Sequence, residues 1–569
     1  MRRRVCQSVS RAHGAAYSAT VHRSTINYQI LTPMPTREHL GVVVSGSLTE
    51  GLTVRLADSL SVEALRVGQF VVVQGDQHQF FSMISDVELG ASNADIIADP
   101  PADDDDWLRR VLSGTTTYGS CDIAPMLMLS GDANEGLRPV RTVPRHFAPV
   151  YAADAQTFGQ VFGEEGPNKF YMGMPLDMDI PVCLDLQRFV ERSNGVFGKS
   201  GTGKSFLTRL LLCGVIKGNT ASALIFDMHS EYGWESKSEG GAFVKGLRQL
   251  FPGDVMVYTL DPNASRSRGV AFDSALTLNM DEIEVEDVIL LQDELKLNAT
   301  AAESAYLLVD RFGKQWLQEL SKMDADALQN FAETSGGNIH SLSALKRKMA
   351  QILRLDFVKA DAPSNQIKGL IEALQRGKHV VLEFGHYDST LAYMLVANVL
   401  TRRIHARWVE LTDKYFQTRQ PADKPQPLVI AIEEAHKFLS PQVSRQTIFG
   451  TIARELRKYS VTLLVVDQRP SAIDNEVMSQ LGSRITALLN DERDIEAVLT
   501  GVSGAAKLRS ILASLDSKQQ ALILGHAVPM PVVIRTRPYD DAFYLAVAPN
   551  AARRVDPIRA QADVDDLFG

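Results

Sequence analysis

Cysteine is scarce in this sequence. Its 569 residues contain four, Cys6, Cys121, Cys183 and Cys213, far apart and with no C-x-x-C pair. That spacing offers neither a zinc site nor a disulfide framework, and it suits a reducing cytoplasm. Long hydrophobic runs are missing as well. No eighteen consecutive residues are apolar, so no membrane span is expected. A surplus of positive charge is also missing: the formal net charge is −9. That argues against coating nucleic acid with the whole surface and leaves room only for a local basic lining, such as a pore. Acids are absent before Glu38, while Arg2, Arg3 and Arg4 make the start basic. This resembles a transit peptide in composition only; a disordered tail, or an upstream start with Met34 as the alternative, is the better explanation. No internal repeat is present. A hydrophobic content of 45% is ordinary for a globular chain of this length, which suggests about three or four domains.

What is present is organised around Gly198, Lys199, Ser200, Gly201, Thr202, Gly203, Lys204 and Ser205, which fit the phosphate-loop pattern G-x-x-x-x-G-K-[ST]. The residues before Gly198 can form a short strand, and Phe206 opens a stretch that reads as a helix. Glycines let successive backbone N–H groups face inward on phosphate oxygens, and the helix adds the positive end of its dipole. Lys204 can reach the β- and γ-phosphates of ATP, and the Ser205 hydroxyl can ligate Mg²⁺.

The rest of the chain divides around this loop. Residues 1–35 read as a tail. Between 36 and 160, short apolar runs punctuated by Gly46, Gly51, Gly68 and Gly75 predict a small β-barrel, interrupted by an acidic loop at 99–106. Residues 157–182 read as a loop-rich link, and the motor itself as beginning near Pro181. Residues 161–280 and 378–545 carry buried-type strands alternating with helices. These predict one α/β parallel sheet of the P-loop, RecA-like kind, covered on both faces. Residues 281–377 have helical periodicity and read as an insert, and 546–569 as a second tail.

Hydrolysis needs more than a phosphate cradle. The apolar strand ending at Ile432 delivers Glu433 and Glu434 to the carboxyl edge of the sheet, where ligands of open α/β sheets bind. By position, Glu433 would hold Mg²⁺ directly or through water, and Glu434 would polarise the attacking water. Gln468, after another buried strand, would sense the γ-phosphate or position the water, or simply cap its strand. Asp227, a metal candidate, and Glu231 follow the strand after the phosphate loop. They either orient Mg²⁺ and water or fix the shape of a loop. Arg454 and Arg457 share a helix face. One of them, with Arg457 ahead of Arg454, would be an arginine finger reaching a neighbouring subunit's nucleotide. Arg266 and Arg268, read on a loop after a strand, would touch DNA phosphates or simply face solvent.

Taken together, Gly198 to Ser205, Phe226-Asp-Met-His-Ser-Glu-Tyr232, Ile432-Glu-Glu-Ala-His436, Arg454-Glu-Leu-Arg-Lys-Tyr459 and Val465-Val-Asp-Gln-Arg-Pro-Ser471 resemble the HerA family, hexameric DNA translocases related to FtsK. Leu40-Gly-Val-Val-Val-Ser-Gly46 and Leu65-Arg-Val-Gly-Gln-Phe-Val-Val72 resemble that family's HAS barrel. There are departures. Met228 and Ser230 stand where the family commonly has proline and glycine, Glu433 where it has aspartate, and Asp467 where a small Ser or Thr is frequent. The resemblance implies a homohexameric ring that uses ATP and Mg²⁺ to move double-stranded DNA through its pore. It also implies a NurA-like nuclease, or a sirtuin-like or other effector, on the barrel face, in DNA end processing or antiviral defence. Two other readings remain open: a conjugation- or secretion-type motor, and a nucleotide-gated scaffold that assembles an effector without translocating.

Overall fold

The computed structural model describes residues 37–549, apart from 99, 102–103, 113–115, 131–135, 238–242, 362–365, 445–446, 503–504, 514 and 517–518. From His39 onward these form one unit. The tail expected at 1–35 lies outside the described residues. So does the one at 546–569, except for 546–549, where the helix Asp541–Val547 ends. Among the described residues, no helix is long and apolar enough to cross a membrane.

The first sheet is antiparallel. Strands Gly51–Leu56, His39–Ser47, Pro149–Ala152, Phe70–Gln74, His78–Ala91 and Thr117–Ser130 pair in that order. The last returns to the first, with Leu52 opposite Ile123, which closes a barrel. Alternation assigns the two faces. Val71, Val73, Phe80 and Ile84 point into the barrel with Val54 and Ile123, while Phe70, Val72, Phe81 and Met83 point outward into the main core. Closure removes the exposed strand edges that such short strands would otherwise present. The barrel is thus as expected. In the acidic loop, Asp99 and Asp103 lie outside the described residues, while short helices Ala94–Ala98 and Asp106–Leu112 flank the remainder.

The loop-rich link expected at 157–182 is not what the chain forms. Residues Ala155–Phe162 are a helix, N-capped by Asp154. Its Phe158 and Phe162 pack on the outward-facing Phe70, at ring distances of 5.5 and 5.9 Å. Lys169–Met174 is then a strand of the second sheet, so that sheet's chain begins well before Pro181. The segment is short, so its aromatic spacing carries too little helical signal to outweigh Gly163, Gly166 and Pro167.

The second sheet has twelve strands, in the order Ser274–Ala275, Val255–Thr259, His379–Glu383, Ser222–Asp227, Leu428–Glu433, Val461–Asp467, Asn194–Phe197, Ser483–Thr486, Gln520–Gly525, Val532–Thr536, Lys169–Met174 and Val182–Asp185. Neighbours are parallel as far as Ser483–Thr486 and antiparallel after it. The central strands are buried along their whole length, which is why they read as unbroken Val, Ile and Leu runs.

The helical insert is present. Helices Val285–Leu290, Ala299–Phe312, Trp316–Lys322, Ala325–Ser335 and Ile339–Ile352 bury Leu308, Trp316, Leu320, Leu342 and Leu345 among themselves. A buried polar joint ties the insert to the motor. Asp287, 0% exposed, accepts from Arg402 Nη2 at 2.9 Å and from Asn398 Nδ2 at 2.6 Å, both on the long helix Thr390–Thr418. Removing one partner of such a buried pair would strand the other.

Candidate active site

The strand Asn194–Phe197 runs into residues 198–203, and the helix Lys204–Gly218 follows. Gly201 and Gly203 have φ of 80° and 89°, a left-handed conformation that glycine adopts at no steric cost. At Gly198 an added Cβ would lie 2.7 Å from Thr202 Oγ1, so the loop's own curl occupies that space. A Cβ added at Gly203 would meet nothing within 4 Å beyond its own chain neighbours, so the loop is open on that side. Thr202 Oγ1 and Lys204 Nζ both donate to the Lys199 carbonyl, at 2.7 and 3.0 Å. Lys204 is therefore folded back over the loop, at the positive end of a fifteen-residue helix. Phe206 packs edge-on against Tyr539, at 5.7 Å between ring centres.

The strand Val461–Asp467 lies directly beside Asn194–Phe197, and Leu428–Glu433 beside that. This order brings the loop, Gln468 and the paired glutamates together. Ser200 Oγ donates to Gln468 Oε1 at 2.5 Å, and Gln468 Nε2 donates to Glu434 Oε1 at 3.2 Å. A side-chain chain thus runs from the phosphate loop to Glu434.

The two adjacent glutamates sit in different surroundings. Glu433 Oε1 accepts the Tyr232 hydroxyl at 2.7 Å, and its Oε2 is buried with no hydrogen-bond partner among the described residues. Burial pushes the Glu433 carboxyl up to about 8, with the Tyr232 hydrogen bond opposing. Glu434 faces outward. Its φ is 49°, a left-handed backbone that is uncommon outside glycine and clusters at functional sites. Among the described residues, no group of three or more His, Cys, Asp or Glu side chains is placed to hold a metal by itself. A magnesium ion would therefore need phosphate oxygens as partners, and the open loop face and the unpaired Glu433 Oε2 fit that demand.

The remaining candidates separate. Asp227 is 0% exposed, and its two oxygens accept backbone N–H groups from Glu231, Tyr232 and Gly233 at 2.8, 2.9 and 3.4 Å. Of its two readings, the geometry gives loop fixing: the carboxylate is spent on the backbone, not turned to the phosphate loop. Glu231 supplies one of those N–H groups. Arg454 Nη2 donates to the Ser444 carbonyl of its own chain at 3.1 Å, which holds this guanidinium against its own chain. Arg457 falls in the short 3₁₀ helix Leu456–Tyr459, and its side chain lies outside the described residues.

Arg266 and Arg268 are not on a loop. The helix Pro262–Ser267, capped by Asp261, carries Arg266, and Arg268 is its C-cap. Arg268 is paired with Glu383, which is 0% exposed, and keeps 35% of its own side chain accessible; Arg266 is exposed beside Phe272.

Two residues of the site carry no role in the sequence reading. Glu383 ends the strand next to Asp227, and burial pushes its carboxyl up to about 7. Only the sheet order reveals it. His436 does have a signal, since it follows Glu433-Glu434 at helical spacing. Its Nδ1 lies 3.0 Å from Asp467 Oδ2 and its Nε2 3.8 Å from Glu434 Oε2.

Comparison with known proteins bears on both sheets. Residues 40–135 match the family model described as the HAS barrel domain, and residues 170–404 the one described as "Helicase HerA, central domain". The chain is 24% identical over 509 residues to the DNA double-strand break repair helicase HerA of Saccharolobus solfataricus, covering 87% of this chain and 91% of that protein. It is 23% identical to the protein of the same name from Pyrococcus furiosus, covering 73% of this chain and 77% of that one. Among solved structures, the bacterial conjugative coupling protein TrwB, lacking its first seventy residues, aligns with a TM-score of 0.44 at 12% identity, over 68% of this chain and 92% of that one. With both family models matched in chain order and relatives of one name spanning most of its length, the chain belongs to the HerA family of ATP-hydrolysing helicases and translocases.

Proposed function

We propose that the protein is an ATP-driven translocase of double-stranded DNA, working as a homohexameric ring in the cytoplasm. The observation that carries this reading is the side-chain chain from Ser200 through Gln468 to Glu434. It links the residue that binds phosphate to the residue that would activate water, through a side chain able to register whether a γ-phosphate is present. In this scheme residues 198–203 hold the phosphates with backbone N–H groups and Lys204 neutralises the β- and γ-oxygens. Ser205 and Glu433 would hold Mg²⁺, Glu433 through its unpaired Oε2, and the ion would supply charge neutralisation at the phosphates. Glu434 accepts the proton of the attacking water. Arg457, from the neighbouring subunit, would stabilise the transition-state charge.

DNA contacts in a translocase go to phosphates, since any sequence must pass, and Arg266 suits that. Leu89, Ile97 and Trp107 are exposed on and beside the barrel at 84, 67 and 72%, which supports a partner docking there. The partner's class follows from the family: a NurA-like nuclease, or a sirtuin-like or other effector, in DNA end processing or antiviral defence. The names of the curated relatives favour repair.

The test is DNA-stimulated ATP hydrolysis by Lys204→Ala and Glu434→Gln. Each is expected to lose about 10²- to 10⁴-fold in turnover while melting like the parent. Retained turnover in Glu434→Gln removes the assignment of the base. Negligible turnover by the parent with DNA, alongside ATP-dependent complex assembly, would leave a scaffold in place of a motor.

A further inference from the structure

His436 opens the short helix His436–Leu439, two residues after Glu434. Two of its groups converge on one atom. The backbone N–H donates to Asp467 Oδ2 at 2.8 Å, and ring Nδ1 lies 3.0 Å from the same oxygen. Asp467 is 1% exposed at the end of its strand, and its other oxygen accepts the Arg469 N–H at 2.8 Å. A carboxylate held this way sets both the tautomer and the plane of the imidazole, because Nδ1 must be the protonated nitrogen facing it. The second nitrogen, Nε2, is thereby turned towards Glu434 Oε2, 3.8 Å away, a contact longer than a hydrogen bond that attracts the carboxylate when the imidazole carries both protons.

Glu434 then has a different neighbour for each oxygen: Gln468 for Oε1 and His436 for Oε2. Its left-handed backbone is intrinsically unfavourable for a residue that carries a Cβ. The pinned N–H of His436, two residues on, is one constraint that keeps the turn in that shape. The groups facing the imidazole are Asp467 from the adjacent strand, Glu434 from the preceding turn and Lys437 from its own helix. The Asp467 hydrogen bond is the largest influence and raises the pKa of the imidazole; burial works against it, and Lys437 does too.

We propose that Asp467 and His436 form the positioning unit of Glu434, aiming its carboxylate at the water beside the γ-phosphate. His436 acts through Glu434 and touches neither nucleotide nor water. Where the family commonly has a small Ser or Thr, Asp467 supplies the anchor. The inference rests on the ATPase reading above, and three measurements on the full-length chain separate the two. The first is Glu434→Gln alone. The second is His436→Ala, expected to lower the turnover number for ATP with DNA about 10- to 100-fold while the KM for ATP stays within about twofold. The third is His436→Ala added to Glu434→Gln, expected to lower the residual rate no further, because the residue it positions is already disabled.

His436→Gln, which keeps a donor of similar size, serves if the alanine variant melts early, and is expected to retain more turnover than alanine. Asp467→Asn is expected to fall between the parent and His436→Ala. If His436→Ala and His436→Gln both turn over like the parent while Glu434→Gln is inactive, the positioning unit is overturned and the ATPase reading stands. The positioning unit is equally overturned if His436→Ala cuts the residual rate of Glu434→Gln by the factor it costs the parent. If Glu434→Gln is itself active, Glu434 is not the base and the positioning unit falls with that assignment, while ATP hydrolysis stands.

Discussion

One sheet edge carries two acidic neighbourhoods that behave in opposite ways. Around the ends of Ser222–Asp227 and His379–Glu383 the acids are sealed: Asp227 and Glu383 are 0% exposed, and Glu433 is held from that side by Tyr232. At the end of the next strand, Leu428–Glu433, Glu434 keeps 28% of its side chain accessible and meets Ser200 through Gln468. A carboxylate at the end of a parallel strand is thus not in itself a catalytic signal. Whether it becomes architecture or chemistry depends on whether backbone amides and a neighbouring strand close over it, and the two outcomes occur here within one layer of side chains.

The comparison can be broken most severely on its sealed side. Asp227→Ala leaves the N–H groups of Glu231, Tyr232 and Gly233 without their acceptor. A loss of about 3 kcal/mol in stability is expected, read as a lower urea midpoint, and Asp227→Asn should lose less. Parent-like stability in Asp227→Ala would return Asp227 to the metal role.

A second test uses pH. Glu383 is raised from 4.5 to about 7 in the folded chain, by burial first and by Asp227 next. The folded state then binds more protons than the unfolded one, so this group's contribution falls as pH rises from 4.5 and is fully lost above about 7. Glu383→Gln is expected to flatten the decline in melting temperature between about pH 5 and 7. An unchanged slope would mean that the Arg268 pair already holds Glu383 charged.

The smallest expected effect sharpens the contrast between necessary and incidental strain. Ser230 has φ of 56° in the loop that Asp227 fixes. Ser230→Gly is expected to add about 1 kcal/mol to stability, seen as a raised urea midpoint, since glycine carries no left-handed penalty. Glu434, with a similar φ of 49°, cannot be relieved this way without losing the carboxylate.

Much of this architecture is legible in the order of residues alone. The phosphate loop, the strand ends carrying Glu433, Glu434 and Gln468, the barrel and the helical insert all follow from short-range pattern. Each depends on residues that are neighbours in the chain. The features that sequence pattern misses share a cause. The helix Ala155–Phe162 owes its place to Phe70 and Phe81, more than seventy residues earlier. Arg268 reads as a loop cation because its partner, Glu383, is 115 positions away. Asp467 is visible in the sequence as an oddity, but its meaning needs His436, which follows the adjacent strand.

Local order along the chain decided which chemistry is available: glycines that curl, a lysine and serine that open a helix, apolar strands that deliver polar ends. Tertiary structure decided how that chemistry is distributed. Strand order placed Gln468 between the loop and Glu434, buried Asp227 and Glu383 away from it, and turned His436 towards it. The physical reason is that the cost of burying a charge, and the hydrogen bonds that offset it, depend on what lies across the sheet, and the order of amino acids along one strand does not contain that information.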